Sequence, residues 1–533
     1  MPTRPETHGA PERAEAGLPA KDEDARPALP FRARLLDLHA GAPEVVLHGD
    51  DARHIGVRPL DRVKVLHAGN GTESPAVVNV SPSLVAVGEV GLSVELAVRV
   101  DAGSGDAMEV RKAPRPRSVE AIRAKLDGQR LSPEEMRMVI SDIARHELTA
   151  VELTAWAAGI HVHGMELDET VSCIQAMVET GERVRFEGGA VLDVHSIGGV
   201  PGNKYAPITV AIVAANGLRI PKTSSRAISS ACGTADFMEV VTPVALSAEE
   251  IKSVTEKAGG TLAWGGGVNL APADDEIIRV EYPLSLDPPA QLLASVLSKK
   301  LAVGATHVLI DIPAGPDAKV KEPAAARRLA RDFITVGERV GLDLQCLISQ
   351  GNQPLGNTIG AVLEIQEALR VLEGSSEPAP LVEKACTLAG RLLEMGGAAE
   401  VGKGTALARS SLADGRALAA FRRIIDAQGG DPSVRADDLR PGAHHRDLHA
   451  PDNGVVASVD NRALVQIARA AGAPRDKGAG IRLACHPSER VTKDQPMYTV
   501  YADHASALDE AVTLARRLRP FRLEGREVFG FID

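Results

Sequence analysis

The sequence has 533 residues, which is too long for one compact core, and its 44% apolar and 25% charged residues are ordinary for a globular protein. A net charge of −11 argues against binding to nucleic-acid polymers but leaves room for a local anion pocket, and no apolar run is long enough to span a membrane. Five dispersed cysteines, none in a CxxC pair, indicate reduced thiols in a cytoplasm and no structural zinc or other metal site.

The N-terminal part of the chain changes character near residue 29. Residues 1–28 are rich in proline and charge and poor in large apolar side chains, which predicts a disordered tail. Residues 29–112 contain short β-like runs separated by Gly, Asp, Asn and Pro, which is the spacing of a small barrel or sandwich. We therefore predict a small β-barrel-like domain that serves as a scaffold or assembly module.

Helical patterns dominate residues 113–182. Ser132 and Glu135 form a capping box with Pro133 at the first helical position. The apolar residues that follow repeat at helical spacing. This stretch predicts an all-helical domain without chemistry of its own.

From residue 183 to 425 the pattern becomes strand, glycine turn and helix. The apolar runs at 306–312 and 343–349 are typical of buried parallel strands. This predicts a large α/β domain with helices on both faces of a mixed or parallel sheet. Residues 426–533 alternate strands with one long helix and predict a small α+β domain, so the fold class is multidomain α/β.

A polar, glycine-rich segment from Asp193 to Lys204 joins a strand to a helix. Its exposed backbone N–H groups at a helix start would suit a phosphate, although it matches neither GxGxxG nor GxxxxGK[ST]. Taken alone, it is more simply explained as a turn with a capping serine. A second segment, Lys222 to Thr234, carries six hydroxyls, one Lys and one Arg. Two donor-rich turns on neighbouring α/β units favour a shared anion site.

The third signal is a spacing of four residues. The side chains concerned are Asp287, Gln291, Ser295 and Lys299. Asp287 precedes two prolines and would be a helix N-cap, with Pro288 at the first helical position. Four-residue steps keep polar groups on one stripe of a helix, which could contact the edge of a heterocycle. A cap followed by a solvated face explains the spacing equally well.

Several long segments resemble the thymidine phosphorylase / AMP phosphorylase family of nucleoside-cleaving enzymes. They are DVHSIGGVPGNK (193–204), IPKTSSRAISSACGTAD (220–236), LAPADDEIIRVEYPLSLDPPAQLLASVLSKKLAVG (270–304), IDIPAGPDAKV (310–320), QPLGNTIGAVLEIQEAL (353–369) and AGIRLACHPSERVTKDQPMYTVYA (479–502). The resemblance runs from roughly residue 115 to the end. Residues 30–110 resemble the N-terminal extension of AMP phosphorylases and of long bacterial thymidine phosphorylases.

The resemblance implies phosphorolysis, in which inorganic phosphate attacks C1′ of the sugar and the base departs. Phosphate is then a co-substrate, and no organic cofactor or metal ion is expected. The helical domain, joined by about 280–304, and the α/β domain would flank the site and close around it. The family also implies a homodimer or higher homo-oligomer.

Three functions stay open. The sequence favours a pentosyltransferase that converts thymidine and phosphate to thymine and 2-deoxyribose 1-phosphate. The N-terminal extension and the SSRAISS loop (224–230) point to the alternative, a nucleoside 5′-monophosphate phosphorylase of the AMP type that yields the base and ribose 1,5-bisphosphate. A non-catalytic nucleotide-binding protein is the third.

The resemblance also implies roles for individual residues. The predicted catalytic residues are His195, beside the base, and Asp287, a proton donor if burial keeps its carboxyl protonated. The predicted phosphate ligands are Ser196, Gly199, Lys204, Ser224, Ser225 and Thr234. The predicted substrate contacts are Arg226, Ala227, Ile228, Ser229, Ser230, Arg279, Ser295, Lys299 and Lys319.

Two positions depart from the family pattern. Val194 stands where a lysine is usual, which removes a cation beside the attacking phosphate and motivates the non-catalytic alternative. Tyr205 stands where a small Thr or Ser is usual, and it would crowd the site or supply a phenol. We expect Lys204 to compensate for Val194 by reaching the phosphate.

Overall fold

The computed structural model describes residues 28–227 and 230–524, which form two compact units. Unit 1 runs to Arg117 and includes His146–Thr149, and unit 2 contains Ser118–Arg145 and the residues from Ala150 onward. The predicted disordered tail, apart from its last residue, lies outside the described residues.

Unit 1 is a closed β-barrel. Its elements are β1 (Leu29–Leu35), β2 (Glu44–Leu47), α1 (Gly49–Ile55), β3 (Arg62–His67), β4 (Glu73–Val80), β5 (Glu89–Leu92), α2 (Val94–Arg99) and β6 (Ala107–Lys112). The strands close in the order β1-β5-β2-β4-β3-β6. Val63 and Val65 of β3 are fully buried while Lys64 between them is not, as the two-residue period of a strand requires. The structure thus confirms a small N-terminal barrel.

Unit 2 contains all the remaining elements. The first are α3 (Ser118–Leu126), α4 (Pro133–Ala144), α5 (Ala150–His163), α6 (Leu167–Thr180), β7 (Leu192–Ser196), α7 (Ala206–Ala215), β8 (Ile220–Ser224), α8 (Thr234–Met238), α9 (Ala248–Ala258), β9 (Gly260–Trp264), α10 (Pro272–Leu284) and α11 (Pro289–Ala302). The others are β10 (His307–Ala314), α12 (Pro323–Arg339), β11 (Asp343–Gln350), β12 (Thr358–Ile359), α13 (Ala361–Leu372), α14 (Ala379–Met395), α15 (Gly404–Ala413), α16 (Arg416–Ala427), β13 (His444–His449), β14 (Gly454–Val459), α17 (Asn461–Ala470), β15 (Gly480–Leu483), β16 (Arg490–Val491), β17 (Pro496–Ala502), α18 (Ala505–Leu518) and β18 (Phe521–Glu524).

Helices α3 to α6 form a bundle that α10 and α11 complete. Helix α10 packs against α4 and α5, and α11 packs against α6. The predicted capping box at the start of α4 is confirmed, since Ser132 Oγ accepts the N–H of Glu135 and the Glu135 carboxylate accepts the N–H of Ser132. The bundle therefore draws on two separate parts of the chain.

The α/β part is built on parallel strands. Strand β10 pairs in parallel with β7 and β11, β8 pairs in parallel with β9, and a parallel bridge between Val191 and Arg219 links the two sheets. The parallel strands predicted at 306–312 and 343–349 are confirmed as β10 and β11, and β10 is buried as expected. The predicted burial of the second strand is wrong, because β11 lies at the edge of its sheet and only its Leu344 is buried. Because the strands are parallel, their carboxyl ends meet at one edge, where α/β proteins commonly bind ligands.

The C-terminal part of unit 2 consists of antiparallel sheets covered by helices. The strand orders are β12-β15-β17-β13 and β16-β14-β18, and α17 packs against α18. Leu464 and Ile467 of α17 and Val500 of β17 are fully buried in the shared core. Within residues 28–227 and 230–524, no helix is long and apolar enough to cross a membrane.

Candidate active site

The two faces of strand β7 have different surroundings. Asp193 is fully buried, and its carboxylate accepts a 2.7 Å contact from Lys300 of α11. Val194, the next residue, is fully buried in a core formed with α7 and α14. Because successive strand residues point to opposite faces, His195 shares the α11 side with Asp193. A side chain at position 194 therefore points away from His195, so Val194 gives no reason to doubt the site.

Four lysines lie near His195. Burial lowers the pKa of His195 well below its usual value, and the positive charges of nearby lysines lower it further. These lysines are Lys300, Lys222, Lys319 and Lys299. The imidazole is therefore neutral at pH 7, with one N–H to donate and one lone pair to accept.

Lys222 is a candidate phosphate ligand that was not among the predicted ones, although it lies in the second donor-rich segment. It lies on β8, on the same face as Ser224, and is buried. Burial lowers its pKa to about 7, the charge of Lys300 lowers it too, and only Asp193 opposes them. Its ammonium donates to the carbonyl of Thr223, and no described carboxylate lies within ion-pair distance. The available signal was that Lys222 is the one lysine of the donor-rich segment from Lys222 to Thr234.

The loop after β8 is closed by one buried carboxylate. Asp236 Oδ2 accepts the N–H of Ala227 at 2.7 Å and that of Gly233 at 2.9 Å. Any side chain at Gly233 would meet the carbonyl of Ser225, since a Cβ there would lie 2.6 Å from it. Ser225 and Thr234 thus stand at the two ends of a tightly closed loop, with Ser224 at the end of β8 just before it.

Arg226 in this loop is occupied by the protein itself. Its guanidinium forms an ion pair with both oxygens of Glu239 and lies 4.7 Å from the Trp264 ring. Ser230 Oγ donates to the carbonyl of Cys232. Ile228 and Ser229, also predicted to contact the substrate, lie outside the described residues.

The glycine turn after β7 makes a close contact with a second loop. Gly198 and Gly199 both have φ of +86°, in the left-handed region. A Cβ at Gly199 would lie 2.3 Å from the backbone nitrogen of Lys319, whereas a Cβ at Gly198 would meet nothing within 4 Å. Gly199 therefore allows the 315–319 loop to reach the turn.

Ser196 lies on the face of β7 opposite His195. Its hydroxyl donates to Asp311 Oδ2 at 2.7 Å and accepts from Asn203 Nδ2 at 3.0 Å. Asp311 is fully buried and also pairs with Lys384 at 2.7 Å. Because the hydroxyl hydrogen is directed at this carboxylate, Ser196 could donate to a phosphate only by leaving Asp311.

The prediction that Lys204 reaches the phosphate requires correction. Its ammonium is fully buried and donates to Glu367 Oε2 and to the carbonyl of Leu355, both at 2.8 Å. Lys204 therefore stabilises the glycine turn through contacts that are buried within the protein. Tyr205 is also buried in the core, with the Lys384 ammonium 5.5 Å from its ring, so it neither crowds the His195 face nor offers a phenol there.

Helix α11 begins one residue later than predicted. Its N-cap is Pro288, and Pro289 occupies the first helical position. The predicted N-cap role of Asp287 is therefore wrong, because a residue that precedes proline avoids the helical conformation and Pro288 is itself extended. Asp287 instead pairs with Lys319 at 2.8 Å, and its side chain is 47% exposed rather than buried.

The polar stripe of α11 converges on a residue of α10. Asp274 accepts hydrogen bonds from Ser295 Oγ at 2.7 Å and from Gln291 at 3.3 Å, and it pairs with Lys299 at 2.8 Å. Burial alone would lower the pKa of Lys299, but Asp274 and Asp275 outweigh it and raise that pKa above its usual value. The stripe is thus held within the protein rather than solvated.

Two sequence predictions remain, one about Arg279 and one about a metal ion. Arg279 lies on α10 and pairs with Glu276 at 2.7 Å on the same helix. Among the described residues, no group of three or more His, Cys, Asp or Glu side chains is arranged to hold a metal ion.

Family models match most of unit 2. Residues 119–181 match the helical bundle domain of a glycosyl transferase family, residues 188–418 match the α/β domain of that family, and residues 455–521 match the C-terminal domain of pyrimidine nucleoside phosphorylases. These matches cover the bundle, the parallel strands and the C-terminal sheets.

Curated relatives extend the similarity to the barrel. The AMP phosphorylase of Methanococcoides burtonii is 44% identical over 495 residues, which cover 93% of this chain and 97% of the relative. AMP phosphorylase 1 of Archaeoglobus fulgidus is 46% identical over 502 residues, covering 94% and 99%. The chain belongs to the thymidine phosphorylase / AMP phosphorylase family. This member of the family is therefore a pentosyltransferase.

The comparisons also correct one prediction about this pentosyltransferase. Its full-length relatives, including that of Pyrococcus furiosus at 44% identity over 93% of this chain and 98% of the relative, are AMP phosphorylases. The preference for thymidine as substrate is therefore wrong. The non-catalytic alternative loses its motivation, because Val194 points into the core.

One solved structure shares the fold at low sequence identity. Anthranilate phosphoribosyltransferase from Thermus thermophilus is 20% identical with a TM-score of 0.50, and the match covers 58% of this chain and 99% of that one. This likeness shows that a helical bundle with an α/β domain is a shared architecture.

Proposed function

We propose that this protein is a nucleoside 5′-monophosphate phosphorylase of the AMP type, which converts AMP and phosphate to adenine and ribose 1,5-bisphosphate. The observation that carries the proposal is the full-length similarity to AMP phosphorylases, which includes the barrel and covers at least 96% of the first three relatives compared. The chemistry of the site supports it.

In the proposed reaction, the phosphate dianion binds on the His195 face of the sheet. Ser224, Ser225 and Thr234 supply hydroxyl donors there, and the neutral ring of His195 supplies an N–H. The incoming anion raises the affinity of Lys222 for a proton, because it provides the negative partner that this buried amine lacks. Phosphate is thereby held without a surplus of fixed charge.

The departing base is stabilised from the side of the bundle. As the C1′–N bond stretches, negative charge develops on the base, and a preorganised cation stabilises that charge. Lys299 is held in place by Asp274 and Asp275 and keeps a third ammonium hydrogen for the base, so it acts there as a positioned hydrogen-bond donor rather than as an unpaired charge. Asp287 precedes α11, and its contact with Lys319 links this side of the site to the 315–319 loop that touches the glycine turn.

The direct test is base release measured by chromatography, with and without phosphate. AMP and adenosine form a matched pair, since they differ only in the 5′-phosphate, and thymidine represents the rejected substrate. We expect adenine release from AMP that requires phosphate, with adenosine and thymidine at least about 100-fold slower, since remote binding groups contribute to catalysis. Faster cleavage of thymidine than of AMP, or release of the base without phosphate, would contradict the proposal.

A further inference from the structure

Asp274 organises the polar stripe of α11 from a neighbouring helix. It is fully buried near the N-terminus of α10, where a negative charge is stabilised by the helix dipole. Its Oδ2 atom lies 2.7 Å from Ser295 Oγ and 2.8 Å from the Lys299 ammonium, and its Oδ1 atom lies 3.3 Å from Gln291 Nε2. Three side chains, each four residues from the next, thus share one carboxylate.

This arrangement determines the hydrogen-bonding character of Ser295. A hydroxyl has one hydrogen and two lone pairs, and an ionised carboxylate can only accept. The Ser295 hydrogen therefore points at Asp274, and the lone pairs are what Ser295 presents to a ligand. The Lys299 ammonium lies 2.8 Å from the same carboxylate oxygen and can only donate to it, so the orientation of Ser295 is fixed before a ligand arrives.

We propose that Asp274 is a positioning residue that turns Ser295 into a hydrogen-bond acceptor, so that the site selects bases with an amino group at the contacted edge over bases with a carbonyl oxygen there. The inference rests on the proposed function, since it takes Ser295 to face the base. Adenine presents a 6-amino donor to the lone pairs of Ser295. Hypoxanthine presents a 6-oxo acceptor at that position, and two acceptors facing each other leave both without a partner.

Binding can be measured without turnover. Calorimetric titration with AMP and with IMP, both in phosphate-free buffer, gives a ratio of dissociation constants that does not depend on phosphorolysis. The wild-type protein should bind AMP about tenfold more tightly than IMP, the effect of one hydrogen bond gained and one unpaired acceptor avoided. Loss of phosphorolysis with this ratio intact would count against the proposed function alone.

Two variants of Asp274 separate positioning from simple support. Asp274→Ala releases the Ser295 hydrogen, so the AMP/IMP ratio should fall to about one. Asp274→Asn keeps an oxygen for Ser295, while Gln291 can turn its otherwise unpartnered Oε1 toward the new amide. This variant should keep the ratio within about threefold of wild type. A merely structural residue would weaken both nucleotides equally and leave the ratio unchanged.

Asp275→Ala is the matched control, because Asp275 pairs with Lys299 at 3.2 Å whereas the Ser295 hydroxyl donates to Asp274. Its ratio should stay at the wild-type value. Ser295→Ala keeps the buried carboxylate of Asp274 and serves as a second test if Asp274→Ala does not fold. It should also bring the AMP/IMP ratio to about one. A wild-type ratio near one, or a wild-type ratio retained in Asp274→Ala or Ser295→Ala, would overturn the inference.

Discussion

Two buried lysines near the glycine turn have opposite surroundings. Lys204, which follows the turn in the sequence, donates to Glu367 and to a backbone carbonyl, so its charge is balanced by contacts within the protein. Lys222, on the His195 face, has a backbone carbonyl as its hydrogen-bond partner, and no described carboxylate lies within ion-pair distance. Its pKa is lowered to about 7 as a result.

The difference between the two regions separates scaffold from binding site. Burying a charge is costly unless a partner of opposite sign accompanies it. A lysine with its own carboxylate has that partner at all times, whereas a lysine without one gains it when an anion binds. The partner, rather than the residue type or the burial, therefore indicates which of the two lysines belongs to the anion site.

The largest expected effect on activity comes from the glycine turn after β7, which separates the region of Lys204 from that of Lys222. Gly199→Ala would place a Cβ against the backbone of Lys319 and push the 315–319 loop away, so kcat/KM should fall about 100-fold or more. Gly198→Ala has the same φ of +86° but open space, and it should cost only conformational strain. Equal losses of activity in the two variants would show that the loop contact is unimportant.

Lys204→Met tests the scaffold region. It would leave Glu367 buried without its cation, so the free energy of unfolding should fall by about 3 kcal/mol or more in denaturant titrations. The KM for phosphate of the folded variant should stay close to wild type. A large rise in that KM with little loss of stability would show instead that Lys204 binds phosphate.

Lys222→Met tests the anion region and should show the opposite pattern. The KM for phosphate should rise about tenfold, while stability should increase at neutral pH. The folded pKa of Lys222, about 7, lies below its usual 10.5. Between these two values the unfolded chain still binds the proton that the folded protein has lost, so stability rises with pH through that window. The variant should lose that rise, and denaturant titrations at pH 7 and pH 10 measure it.

The smallest effect is a pH dependence of anion binding. Sulfate serves as the probe because its own charge is constant between pH 6 and 8. Its affinity should fall about tenfold across this range as Lys222 loses its proton, since the pKa is about 7. His195 does not contribute, because its pKa lies well below its usual value. Calorimetry should find little pH dependence in Lys222→Met; a full dependence there would assign it to another group.

Much of the fold follows from local sequence patterns. The capping box at Ser132, the short β-like runs of residues 29–112 and the parallel strands β10 and β11 each depend on residues close in sequence, and the structure confirms them. The start of α11 lies one residue later than predicted because Pro288 precedes another proline and is therefore extended, which makes it the N-cap rather than the first helical residue. Such patterns indicate elements well and their ends less well.

The site is harder to predict because its partners are far apart in the chain. Glu367 is 163 residues from Lys204, and Asp274 is 21 residues from Ser295 on a different helix. Both lysines of the comparison lie in polar, donor-rich motifs, so the sequence could propose an anion site but could not assign the lysine that serves it. That assignment depends on tertiary contacts.

The most direct test of this account is the position of a bound oxyanion. A crystal structure of the full chain with selenate would locate the anion from the anomalous scattering of selenium. The account predicts selenate on the α11 side of β7, within hydrogen-bonding distance of Ser224 and beside His195. An anion bound instead against Lys204 or Asp311 on the opposite face would contradict it.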